Sequence, residues 1–311
     1  MTNHPLAGVY AAAVTPLKAD YRVGAAHAPD LAAVTPFLAF LANRGCHGAL
    51  LLGTTGEGPS FSPDERADIF RAALAVHETH PDFRLLAGTG TPSLAETVHL
   101  TRAAFDMGFA AVVVLPPYYF RKVSDEGLFA FFSEVIRRAV PMDGYLLGYH
   151  IPSLTGVGFS LDLLARLKGA FPQQFAGIKE SSHEADFARH LGARFGSDLL
   201  VLTGTDSYLQ LSLENEAQGC ITAAANLISP DLRKLWDAWQ RGEDVAPLQA
   251  RVTAARHVLE RYMPFPPILK ALLARQHGFP RWPVRPPLVE ATKEVEEQAL
   301  IGGRSLPHES R

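Results

Sequence analysis

Cysteine is nearly absent. Of 311 residues only Cys46 and Cys220 are cysteines, and neither has close Cys or His partners at metal-ligand spacing. No disulfide framework and no zinc site is suggested, and two small buried thiols are expected. Charge of one sign is also missing: 29 Lys and Arg stand against 32 Asp and Glu, a net charge of -3. The chain therefore has no general field to attract nucleic acid or an anionic membrane. The longest apolar run, Phe109 to Leu115, is far too short to span a bilayer. The N-terminus has no basic stretch followed by an apolar core, so a cytoplasmic location is expected. Two nucleotide signatures are absent as well. No G-x-G-x-x-G follows the first strand candidate, and the glycine-rich stretch at residue 53 lacks the Gly-Lys-Ser/Thr ending of a P-loop.

What is present is a rhythm. Apolar runs recur about every 30 residues, each followed by a polar turn and a helical pattern, the period of repeated βα units. Eight strand candidates result: Val9 to Thr15, His47 to Leu52, Arg84 to Ala87, Ala110 to Leu115, Tyr145 to His150, Phe175 to Lys179, Leu199 to Thr203 and Gly219 to Ala223. Ser62-Pro63-Asp64-Glu65 reads as an N-cap serine, a first-turn proline and an acidic first turn, and Ser124 and Ser160 start later helices in the same way.

No linker rich in Gly, Ser or Pro interrupts the chain before residue 278. This favours a (β/α)8 TIM barrel over residues 1–228, closed by its eighth helix at about 229–241, over a doubly wound open sheet. Residues 242–311 then form a C-terminal helical extension, Val245 to Tyr262 and Pro267 to Gln276, ending in a proline-rich tail.

In such a barrel the functional groups gather where strands end. A lysine, Lys179, closes the apolar stretch Phe175-Ala176-Gly177-Ile178. A buried ammonium loses hydration, which favours the neutral, nucleophilic amine; the competing reading is a lysine that snorkels to solvent or pairs with Glu180. Gly53-Thr54-Thr55-Gly56-Glu57 reads either as an anion cradle of backbone amides and two hydroxyls or as a structural turn. Tyr149 stands one βα unit before Lys179, so the two are expected on adjacent strands, with the phenol able to shuttle protons. Strand alternation turns His150 to the opposite face, as a packed histidine. An amine, a carboxylate seat and a phenol together suit a 2-oxo acid captured as a Schiff base.

Gly53-Thr54-Thr55-Gly56-Glu57, Pro117-Tyr118-Tyr119, Tyr149-x-x-Pro152-x-x-Thr155-Gly156 and Gly177-Ile178-Lys179 occur in order, and the chain from Gly8 through Pro287 resembles the dihydrodipicolinate synthase and N-acetylneuraminate lyase family of class I aldolases. The resemblance implies that Lys179 forms the Schiff base with pyruvate and Tyr149 relays protons. Thr54 and Thr55, beside Gly53, would hold the carboxylate, with Thr54 also in the relay. Tyr119 would complete that relay across a tight dimer interface of a homotetramer. No metal and no cofactor beyond the covalent Schiff base is implied.

The acceptor half is less uniform. Leu154 stands where the lysine-biosynthetic synthases usually carry an arginine, and leucine cannot pair with an anion. Leucine there is familiar in the lyase branch, where Ser181 and Asp206 match positions that recognise sugar hydroxyls. Ser207 and Ala223, however, replace a glutamate and a serine of the sialic acid lyases. The leading expectation is a lyase joining pyruvate to an aldehyde or cleaving the product, on a 2-keto-3-deoxy sugar acid or hydroxy-2-oxoglutarate type of substrate. The alternatives are 4-hydroxy-tetrahydrodipicolinate synthase, N-acetylneuraminate lyase, and a non-catalytic small-molecule-binding member.

Overall fold

The computed structural model describes residues 4–19 and 27–304, and the end of the expected tail lies outside them. Eight parallel strands close into a barrel in chain order: β1 Gly8–Ala12, β2 Gly48–Leu51, β3 Arg84–Gly88, β4 Ala111–Val114, β5 Tyr145–His150, β6 Phe175–Glu180, β7 Leu200–Thr203 and β8 Gly219–Thr222. Each falls within or at the edge of an apolar run. The alternation of their side chains sorts two cores. Tyr10, Leu50, Leu86, Val113, Leu147 and Leu202 fill the barrel, while Val9, Ala49, Leu85, Val112 and Leu146 face the surrounding helices.

The helical ring comprises α1 Leu31–Asn43, α2 Pro63–Ala73, α3 Leu94–Asp106, α4 Asp125–Ala139, the single turn α5 Pro152–Thr155, α6 Leu161–Ala170, α7 Ala185–Phe195, α8 Leu209–Glu214 and α9 Ala225–Gln240. Ser62 caps α2 in a reciprocal box, its Oγ accepting from the Glu65 amide while Glu65 accepts from the Ser62 amide. Ser124 and Ser160 accept from the Gly127 and Leu163 amides in the same manner. Helix α9 begins ahead of the expected Ser229. Ile228 leaves helical geometry there, and Pro230, which has no amide to donate, follows at the break.

The extension holds α10 Ala246–Glu260, α11 Phe265–His277 and a further helix, α12 Lys293–Arg304, in place of an unbroken proline-rich tail. Thr292 accepts from the Val295 amide at the start of α12. The extension is fastened to the loop after β2. Lys270 on α11 donates to Glu57 at 2.5 Å, with both side chains buried. The other Glu57 oxygen accepts from the Arg285 amide, and Arg285 forks onto Glu65 of α2. Because breaking a buried pair strands a charge, at a cost of about 3–5 kcal/mol, this contact fixes where the extension lies over the barrel mouth.

Among the described residues, no helix is long and apolar enough to cross a membrane.

Candidate active site

The site begins with a fault in a strand. Along β5 and β6, Leu146 pairs with Phe175 but Leu147 pairs with Gly177, so Ala176 is skipped. Ala176 points into the barrel, yet Ile178, two residues on, packs outside it. The slip reverses the facing of everything downstream. It makes Lys179 the register partner of Tyr149 and turns it inward. Gly177 permits this approach, because a Cβ there would lie 1.8 Å from the Leu200 carbonyl oxygen.

Lys179 is 3% exposed, which removes the snorkelling alternative. Glu180 does not pair with it; its Oε1 accepts the Ser182 amide at 2.6 Å. The Lys179 Nζ lies 4.1 Å from the centre of the Tyr149 ring, and the Tyr149 hydroxyl stands 3.3 Å from Thr54 Oγ1. Burial resists ionisation of this phenol, but the Lys179 charge and polar contacts to Lys179, Thr54 and Ser181 outweigh it and hold the phenol below its ordinary value. His150 occupies the opposite face as its alternation requires. Its ring stacks on Phe187, its Nδ1 accepts the Phe159 amide at 2.9 Å, and burial lowers its pKa to about 4.

Lys179, Tyr149, Thr54, Thr55 and Ser181 line one cavity of about 280 Å³ at the C-terminal end of the barrel, just under the lower end of the size range of small-ligand sites. Leu154, on the α5 turn, stands at its mouth and is 56% exposed. Gly53 lies beside it, lining a separate cavity of about 20 Å³ whose wall also includes Thr54 and Tyr149. Gly204 leaves room for Ser181, since a Cβ there would meet the serine Oγ at 1.9 Å.

Two expected residues sit elsewhere. Tyr119 is 77% exposed, its ring edge-on to the equally outlying Phe120, and it does not reach the cavity within a single chain. Asp206 is fully buried and is not among the cavity-lining residues; its Oδ2 accepts from Arg256 Nη1 at 2.7 Å, while its Oδ1 has no partner among the described residues. Arg256 neutralises its charge there. Glu57, the last residue of the glycine-rich motif, likewise faces the extension, through Lys270 and Arg285.

The structure adds residues that spacing does not reveal. Arg256, Met263, Pro264, Phe265, Pro266 and Leu288 of the extension form one wall of the cavity. His183, just beyond β6, also lines it with a left-handed backbone at φ 65°. A run of Met263-Pro264-Phe265-Pro266-Pro267 between two helices was the available signal, as a rigid apolar turn.

Comparison with known proteins identifies the family. The model of the dihydrodipicolinate synthetase family matches residues 5–300. The chain belongs to that family. It is 35% identical over 287 residues to an uncharacterized DapA-like lyase of Chloroflexus aurantiacus, covering 92% of each chain. To a 4-hydroxy-tetrahydrodipicolinate synthase of Listeria monocytogenes it is 32% identical over 273 residues, 85% of this chain and 89% of the other. The crystal structure of dihydrodipicolinate synthase from Aquifex aeolicus superposes with a TM-score of 0.85 at 26% identity, covering 98% of this chain and all of that one. The protein is accordingly a lyase of the dihydrodipicolinate synthetase family built on a TIM barrel with C-terminal helices.

Proposed function

We propose that this lyase is a pyruvate-dependent aldolase that works through a Schiff base on Lys179 and acts on a 2-oxo acid. The observation that carries the reading is the line Lys179–Tyr149–Thr54, with its 4.1 Å and 3.3 Å separations, along the wall of a single cavity. In its neutral form the Lys179 amine adds to the ketone carbon of pyruvate, and loss of water leaves an iminium. That iminium draws electrons from the methyl carbon, which releases a proton and becomes a nucleophilic enamine carbon. The phenol of Tyr149 carries the protons these steps exchange, a role supported by its raised acidity and its contact with Thr54. Thr54 and Thr55 offer hydroxyls to the pyruvate carboxylate.

Incubation with pyruvate and borohydride should add the mass of a reduced pyruvate adduct to Lys179, and Lys179→Ala should abolish it. An unmodified wild-type lysine ends the Schiff-base reading. The proposal also has Tyr119 reaching a neighbouring copy's relay, as its exposure beside Phe120 allows. A purely monomeric sedimentation profile for the active enzyme would remove that part.

A further inference from the structure

We propose that the acceptor is an uncharged, apolar aldehyde, aryl or branched alkyl, seated between the α5 turn and the extension. The inference rests on the Schiff-base reading and concerns the half of the cavity that reading leaves open.

The first support is the state of the cations. An acceptor whose carboxylate leaves water on entering the cavity needs a positive partner or fixed donors in exchange. Lys179 is consumed by pyruvate. Arg256 gives Nη1 to Asp206 at 2.7 Å and Nε to Glu260 at 2.8 Å, so two carboxylates already share its single charge. Its Nη2 has no hydrogen-bond partner among the described residues and can serve a neutral oxygen, but the cluster as a whole is not cationic. His183 is held below its ordinary pKa by burial, with Arg256 adding to the effect and Glu260 and Asp206 opposing it, which favours its uncharged form. Leu154 at the mouth offers no charge.

Polyhydroxyl recognition lacks its groups too. A sugar acid needs several fixed donors and acceptors, and neither Asp206 nor Glu260 lines the cavity; each accepts from Arg256 behind its wall. Ser181 sits against Tyr149 on the pyruvate side, which leaves Ser153 as the hydroxyl at the outer rim.

The walls supply the positive argument. Ile151, Leu154, Ala223, Met263, Phe265 and Leu288 enclose the space beyond Lys179. Leu154 and Met263 are 56% and 59% exposed although both line a cavity, and apolar surface held open to water is what an apolar ligand covers favourably. Continuity with the Lys179 site distinguishes this face from an isolated surface patch.

In the reaction, the enamine carbon of the pyruvate adduct bonds to the aldehyde carbon, and the carbonyl electron pair moves to oxygen, which takes a proton from the Tyr149 relay. Water then hydrolyses the iminium, freeing Lys179 and a 4-hydroxy-2-oxo acid. That water balances the one lost when the Schiff base formed.

The test uses the full-length enzyme with pyruvate and four aldehydes: benzaldehyde, 3-methylbutanal, aspartate semialdehyde and D-glyceraldehyde. The apolar pair should exceed the other two in kcat/KM by on the order of 100-fold. Equal or reversed preference overturns the proposal. So does a Lys179 adduct trapped by borohydride with no turnover of either apolar aldehyde, which would mean that another occupant, such as a second copy of the chain, covers this face. Absence of the adduct instead overturns the Schiff-base reading itself, and the proposal with it. Leu154→Arg should move the ratio of aspartate semialdehyde to benzaldehyde by about tenfold or more towards the former, and no movement counts against the proposal.

Discussion

Replacing Tyr149 with phenylalanine isolates one atom of the site. The ring remains, so its 4.1 Å contact with the Lys179 amine is retained, and the volume filled between β5 and β6 is unchanged. Lost is the hydroxyl with its 3.3 Å contact to Thr54 and its polar contacts to Lys179 and Ser181. Thr54 borders the cavity and can rehydrate, which limits the ground-state cost to about 0.5–1.5 kcal/mol. In the transition states the same hydroxyl carries a proton, and a positioned acid or base is worth roughly 10² to 10⁴ in rate, or about 3–5 kcal/mol. The expected outcome is therefore a fall in kcat of at least about 100-fold, with KM for pyruvate shifted by roughly tenfold or less. Steady-state turnover with a saturating aldehyde gives the first quantity, and the rate of borohydride-trappable adduct formation reports the pyruvate half alone. A kcat within threefold of wild type, or a loss confined to KM, refutes the relay, because binding without chemistry would then be the hydroxyl's contribution.

Two further outcomes concern stability. His150 keeps a pKa of about 4 in the fold against about 6.5 in an unfolded chain, so between those values the unfolded state binds the extra proton. Its contribution is complete above pH 6.5, is lost as pH falls towards 4, and amounts to about 3 kcal/mol at most. His150→Gln should flatten the unfolding free energy across that window, and an unchanged slope contradicts the assignment. Arg256→Met strands the buried Asp206 carboxylate and should cost about 3–5 kcal/mol by chemical denaturation, with Asp206→Asn in the same chain recovering most of the loss. A single-variant cost under about 1 kcal/mol would mean that Asp206 does not depend on the pair.

The barrel was legible because its signal is repeated: eight apolar runs at nearly equal spacing constrain one another, and serine caps at Ser62, Ser124 and Ser160 mark helix starts without reference to tertiary contacts. Lys179 was legible as an anomaly, but its facing was not. Regular alternation from Phe175, which packs outside the barrel, carries Lys179 outside as well; the skipped Ala176 brings it in. Such a slip depends on how closely β6 can approach β7 at Gly177, a relation between strands that no single-strand pattern contains. The placement of Asp206 was hidden for a similar reason. Its partner Arg256 lies fifty residues away on a helix of the extension, and nothing in the local sequence says that its charge is already spent. Helix α12 was obscured by the prolines before it, although Thr292 and the acidic Glu294 and Glu296 carried a readable start.

The division of labour follows from those long-range contacts. Strand ends of the barrel carry Lys179, Tyr149, Thr54 and Thr55, whose positions are fixed by register and by the bulge in β6. The extension carries Met263, Phe265, Leu288 and Arg256, whose positions are fixed by the Glu57–Lys270 and Asp206–Arg256 pairs. The two sets meet at one cavity but share no backbone element. Replacing a side chain on the extension therefore reshapes the outer wall without disturbing the register that sets the amine beside the phenol. In the proposed reaction this separates a donor half, set by the strand-end motifs, from an acceptor half set by the packing of residues 256–288 over the barrel mouth.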